Sequence, residues 1–417
     1  MDSPSEVTTR RRWRRRRGRP RAHGRHRRAR NQTHPQTTEP QRPRRRRRAV
    51  LVGGVGVTVL AVLVALTVVL ERPAWRPNPA RAETAPRPAA PTAVEAAPSA
   101  RATSAALAIS PVAASVDVPP ISTTIPIGPA PGYVAVAPNG RYAYTANREG
   151  QSLSMIDTAT SQVTATVPIA EGPPQFVTFA PDGRRAYLSI YNNEKTVNLV
   201  GVLDTESNKV IGTIPVGTRP FALAVRPDGE YVYVPEHDTG TISVISTATQ
   251  KLVLTLHVPP NPHSIAFSKN SRRAYIANHE SNVISVLDTV SNTIITTVQV
   301  GTSPHSVAVA PDESQVVNVN YDSNTVTVID TATNAVTATI PVGVHPQGIA
   351  FAPDGRHVYV ANNGGTVSVI NMETDQVTAT IPTGKTPTSV AVAPDGRYAY
   401  VTNLESGDVT ILDAAKK

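Results

Sequence analysis

Five histidines and three carboxylates stand where a repeating sequence departs from its own pattern. Glu236, His237 and Asp238 are consecutive, His279 and Glu280 are adjacent, and His263, His305 and His345 each flank a proline. Neutral imidazole and carboxylate together suit divalent transition metals, so one reading of the group is a metal site. No short ligand spacing such as H-E-x-x-H accompanies them, and side chains spread over solvated loops stand too far apart to share an ion. Both readings stay open at this level. Tyr191 and Asn192 fall in a stretch four residues longer than its counterparts. A longer loop on a rigid frame suits recognition, and drift in an exposed loop is the other account.

Other chemistries are closed off. The chain has no cysteine, which excludes a disulfide framework, a thiolate metal site and a thiol nucleophile. It has no G-x-S-x-G elbow and no phosphate-cradling glycine loop. Asp157, Asp204, Asp288 and Asp330 each precede a threonine in a turn context, where a carboxylate closes an Asx turn without doing acid catalysis.

The elements that must position these residues repeat along the chain. The pattern Pro-x-x-apolar begins at Pro131, Pro174, Pro220, Pro262, Pro304, Pro346 and Pro387, at intervals of 43, 46, 42, 42, 42 and 41 residues. A period of 40–50 residues points to a propeller or solenoid. Each unit carries four short strand patterns. In the sixth they are 348–352, 357–361, 366–370 and 376–381, and the Pro353-Asp354-Gly355 turn separates the first two. Proline presets φ, aspartate bonds back to the backbone and glycine takes positive φ, so the hairpin is tight. Four antiparallel strands per unit make a propeller blade. The expected fold is all-β: a seven-bladed β-propeller of four-stranded antiparallel blades over residues 121–417. The last unit lacks a fourth strand, and residues 121–128 copy one, so the N-terminal strand is expected to close the ring. Inner strands should be small where blades converge. The asparagine that ends many second strands (147, 278, 320, 362, 403) should bond turn backbone, and His357 reads as a surface substitution.

Charge divides the chain. Its 417 residues carry 41 Lys+Arg and 31 Asp+Glu, a formal +10, but residues 1–48 hold 19 arginines against three acids. The propeller itself has 17 basic and 24 acidic residues, a net −7. A nucleic-acid partner is therefore not expected, and the Arg-rich stretch reads as a disordered cytoplasmic tail lying on anionic headgroups. Residues 49–70 contain no charge; at ~1.5 Å per residue they reach roughly 33 Å, enough for a transmembrane helix. Five arginines precede the run, which puts the N-terminus inside and the propeller outside the cell membrane in a single pass. A cleaved signal peptide is the rival reading. Residues 71–120 contain 10 Pro and 16 Ala and read as a disordered linker that holds the body off the bilayer.

Tyr400-Val-Thr-Asn403, Tyr359-Val-Ala-Asn362 and Tyr275-Ile-Ala-Asn278 resemble the motif that names the YVTN β-propeller repeat family, over about residues 121–413. The resemblance implies a propeller outside the cytoplasm, of surface-layer type, and no single chemistry. The family's sequence pattern is similar to the propellers of lactonases and of haem d1 proteins.

The expected function is therefore a membrane-tethered binding or scaffolding module that meets a cell-envelope or protein partner through its loop face, with no cofactor. Tyr191, Asn192, Glu236, His237, Asp238, His263, His279, Glu280, His305 and His345 form the candidate binding face. The alternative is a lactonase-like or metal-dependent hydrolase with its site at the channel mouth. A haem d1 role, with one of these histidines as axial ligand, comes third.

Overall fold

The computed structural model describes residues 111–415, which hold seven four-stranded antiparallel sheets. The tail at 1–48, the apolar run at 49–70 and most of the linker lie outside the described residues. Each sheet is a blade, numbered here by the prolines of the repeat. Blade 6 comprises Pro346–Phe351, His357–Asn362, Thr366–Asn371 and Gln376–Pro382, paired in sequence order. First strands of neighbouring blades contact one another and so line the axis, while fourth strands lie outermost. In blade 7 the outermost place is taken by Ile121–Pro126, which pairs with Asp408–Asp413 in a register that sets Ile125 opposite Val409.

Alternating strand direction gives the ring two unlike faces. First strands start, and second strands end, on the loop face. The Pro-Asp-Gly turns and the Asx turns lie on the opposite, turn face. The Asx turns are formed as expected: Asp157, Asp204, Asp288 and Asp330 each accept an N–H from the residue three positions on, at 2.7–2.8 Å. Side-chain and backbone hydrogen bonds hold their carboxyls below the usual range.

The core lies between blades. Seven apolar clusters each join two neighbours, including one that joins blades 7 and 1 through Val134, Ala143, Tyr400 and Ile411. Second-strand tyrosines Tyr144, Tyr187, Tyr233, Tyr275, Tyr359 and Tyr400 are among the largest fully buried side chains. Burying each stabilises the fold by about 2 kcal/mol. Small inner residues are required at Gly348, where a Cβ would stand 2.9 Å from Ser389 Cα. Blades 2 and 3 depart from that rule with Phe176 and Phe221, and the first strand of blade 3 shrinks to Ala224–Val225.

The second-strand asparagines do not all bond turn backbone. Asn278 donates to the Pro259 carbonyl at 2.7 Å, but Asn147, Asn320, Asn362 and Asn403 donate to hydroxyls of their own third strands. His357 is not a surface residue. It is 3 % exposed, with Nδ1 2.6 Å from Ser115 Oγ and Nε2 2.8 Å from Asp117 Oδ1. Asp117 and Ser115 belong to a strap along the turn face, which Thr378 also holds through the Asp117 carbonyl. Among the described residues, attachment to the ring thus precedes Ile121: the Ala113 N–H donates to the Asp395 carbonyl.

Candidate functional site

Three positions of the repeat surround the channel mouth, and substitution at these positions shapes the loop face. Just after the repeat proline stand Gly132, Gln175, Phe221, His263, His305, Gln347 and Thr388. At the residue following the second-strand asparagine position stand Arg148, Tyr191, His237, His279, Tyr321, Asn363 and Leu404. The pairing of Pro174 with Ile190 and of Pro220 with Glu236 fixes this alignment in the two irregular blades. Just before the proline, six blades place a residue in left-handed backbone, φ 52–59°, Arg219 and His345 among them.

These positions bring together four of the five histidines. His263 and His305 stack at 4.2 Å between ring centroids; His279 meets His305 edge-on at 4.8 Å, and His237 stands 5.9 Å from both His263 and His279. His345 joins through Tyr321, which stacks on His305 at 4.4 Å and on His345 at 4.5 Å. On the other side Phe221 packs against His263, His237 and Tyr191. A continuous arc of rings results, so these side chains are not dispersed around the rim.

Burial keeps these imidazoles neutral. Desolvation pulls His305 down to about 3, with repulsion from His279 adding to it. His263 falls well below its ordinary value through burial and the charges of three other histidines. His237 and His279 are lowered mainly by burial. Neither nitrogen of His305 makes a well-formed hydrogen bond, although Gln347 lies beside it.

The three acids take separate roles, and only Asp238 touches an imidazole of the cluster. Glu236, 2 % exposed, sits at the asparagine position and turns under the loop. It accepts the Gly217 N–H at 2.7 Å and bonds Ser243, Thr241 and Thr239. Its part is structural, as the asparagines' is. Asp238 gathers charge: Lys195 Nζ lies at 2.6 Å, His237 Nδ1 at 3.0 Å and Arg219 Nη1 at 3.3 Å. Partial burial raises the Asp238 carboxyl, but these partners outweigh it and hold it low. Glu280 is exposed and bonds Asn261 at 3.0 Å.

The extra residues of blade 2 form an organised loop. Asn192 Oδ1 accepts the N–H groups of Thr196 and Val197 at 2.9 and 3.0 Å. Tyr191 is no exposed tip: it ends the strand Arg185–Tyr191, is 7 % exposed and stacks on Phe221. Tyr191 and Asn192 wall a cleft of about 1260 Å³. Arg148, Gln175 and Arg219 line it from blades 1 to 3, and Leu404 and Glu405 from blade 7. Sequence reasoning passed over Arg148, Gln175, Phe221, Arg219 and Tyr321. Aligning the repeats on the proline and reading down the columns would have found them.

The Arg148 guanidinium occupies space that the lack of a side chain at Gly132 leaves open; a Cβ there would come 2.5 Å from Nε. Nε is sealed from solvent without a partner, and no ion pair of Arg148 exists among the described residues. Burial pulls its pKa below the ordinary arginine value.

Among the described residues no group of three or more His, Asp or Glu is placed to hold a metal ion. A haem does not fit either. The imidazoles pack ring on ring about a channel void of about 20 Å³, and the large cleft has no histidine in its wall.

Comparison with known proteins agrees on architecture. Residues 342–416 match the model of the cytochrome D1 heme domain, a segment that holds His345 and His357 but none of the four gathered histidines. A seven-bladed beta-propeller protein of Mycobacterium tuberculosis is 28 % identical over 101 residues, 24 % of this chain and 25 % of that protein. The match thus spans a quarter of the curated relative's length. The structure of Kuenenia stuttgartiensis hydrazine synthase superposes with a TM-score of 0.63 at 22 % identity, over 70 % of this chain and 97 % of that one. At that identity the likeness is one of fold: this chain carries a seven-bladed β-propeller.

Proposed function

We propose that this protein is a membrane-tethered, extracytoplasmic propeller of the YVTN, surface-layer type that binds a cell-envelope or protein partner through its loop face. Residues 49–70 serve as the single-pass anchor, residues 1–48 as the cytoplasmic tail and residues 71–120 as the linker. The observation that carries this reading is the open cleft of about 1260 Å³, walled by the irregular second blade and its neighbours. Binding sites sit on such variable loops over a rigid scaffold. The described strap at residues 113–120 runs along the turn face, opposite the cleft. A net charge of −7 on the propeller argues for a partner other than nucleic acid. Hydrolase chemistry finds no support in the stacked neutral imidazoles or in the turn-bound aspartates.

The test is in-cell crosslinking of the full chain, comparing wild type with a double variant at the exposed cleft rim, Asn193→Arg with Glu405→Arg. A partner captured by wild type should be lost from the double variant. Capture undiminished by the two arginines would sink the cleft as the binding site.

A further inference from the structure

We infer that the cleft recognises a carboxylate, which docks on Arg148 at the channel mouth. This rests on the reading of the cleft as the binding site and names the chemistry it selects.

A guanidinium taken out of water is ordinarily paired with an acid, because an uncompensated buried charge is costly. The neighbouring basic side chains Arg219 and Lys195 are paired although they are more exposed, both reaching Asp238. Arg148 has no carboxylate partner among the described residues and leaves Nε sealed and unsatisfied. It is also held in place by design of the repeat. The blade-1 residue after the proline is Gly132, and the missing side chain makes the room into which Arg148 settles. The planar fork of arginine matches a carboxylate with two parallel hydrogen bonds.

The surroundings limit what the ligand can be. Gln175 is buried, with Nε2 committed to the Tyr191 carbonyl at 3.0 Å, so it braces the wall beside Arg148. Arg219 stands 5.8 Å above the ring of Tyr191, in the wall of the cleft that Arg148 also lines. Glu149, Glu194 and Glu405 line the same cleft and repel a ligand carrying several negative charges. One carboxylate reaching inward from a mostly neutral, polar body satisfies both conditions. A free organic acid and the C-terminus of a peptide share this chemistry.

The experiment is calorimetric titration of the full chain, purified in neutral detergent. The probes are gluconate, a monocarboxylate with a neutral polar body, tetra-alanine with a free carboxylate and tetra-alanine amide. Gluconate or the free-acid peptide should bind saturably, the amide should not, and whichever of the two acids binds identifies the source. Arg148→Met should weaken binding by about tenfold or more, the loss expected for a charge-assisted hydrogen bond, while Arg148→Lys should fall between. The ligand-free Arg148→Met protein should melt no lower than wild type, because an unpaired charge has been removed; a purely structural arginine would show a drop. No binding of either acid, equal binding of acid and amide, or unchanged affinity in Arg148→Met would each overturn the inference. If rim-sensitive partner capture survives such a result, only the carboxylate assignment falls; if capture is also insensitive to the rim, the cleft itself is wrong.

Discussion

His263 and His305 stack with ring centroids 4.2 Å apart and planes 14° from parallel. Two protonated imidazoles could not hold that geometry at little cost, since like charges at close range inside a protein repel strongly. The contact therefore belongs to the neutral state.

Acid should loosen the propeller through these rings. Unfolded histidine titrates near 6.5, whereas the folded value of His305 is about 3 and those of His237, His263 and His279 are lowered too. The unfolded chain binds protons first, so this stability is fully present above pH 6.5 and is lost as pH falls toward 3. At pH 5 His305 alone accounts for a loss of about 2 kcal/mol. Urea unfolding at pH 7.5 and 5.0 should show the difference between the two pH values shrinking by about that amount in His305→Phe. An unchanged pH dependence in the variant would refute the assignment.

Gly217 and Glu236 should behave as one unit. The Glu236 carboxylate fills the space a side chain at Gly217 would need, and Gly301 has the same relation to Asn320, 2.6 Å from the Cβ position to Cγ. Gly217→Ala should therefore destabilise the fold by roughly 1–3 kcal/mol, as overpacking does. With Glu236→Ala already present, Gly217→Ala should cost clearly less. Strict additivity in a thermal-denaturation cycle would show that the two side chains do not compete for one space.

His357 should act as a clasp. Its two nitrogens hold Ser115 and Asp117, and each lost hydrogen bond removes about 1 kcal/mol. His357→Phe should keep the blade core filled but free the strap. Thermolysin would then cut near Val116 and Val118 at least severalfold faster than in wild type, with the remaining propeller intact by circular dichroism. Equal cleavage rates would mean the strap is held by its backbone contacts alone.

Several of these relationships could be read from the chain in advance and others could not. The seven prolines at near-constant spacing, the Pro-Asp-Gly turns and the Asp-Thr turns are local signals, and each meets its purpose within one blade. The candidate loop face was also legible, because departures from a repeat stand out against it. Glu236 reads from sequence as site chemistry because a carboxylate replaces asparagine, and only the structure shows Ser243 and Thr241 bonded beneath it. His357 looked exposed because its partners are 242 and 240 residues away in sequence. Arg148 looked like any loop arginine, and only the gap above Gly132 distinguishes it.

The sequence by itself determined what is periodic: blade number, strand order within a blade and turn chemistry, since each depends on alternation and short-range hydrogen bonding. Tertiary structure decided what depends on the ring. Curvature brings Tyr191, Phe221, His263, His305 and Tyr321 from four blades into one arc of contacts, and the same curvature opens the cleft beside Arg148. A one-dimensional repeat lists Phe221, His263 and His305 42 positions apart; the inward pitch of each blade sets how close they come.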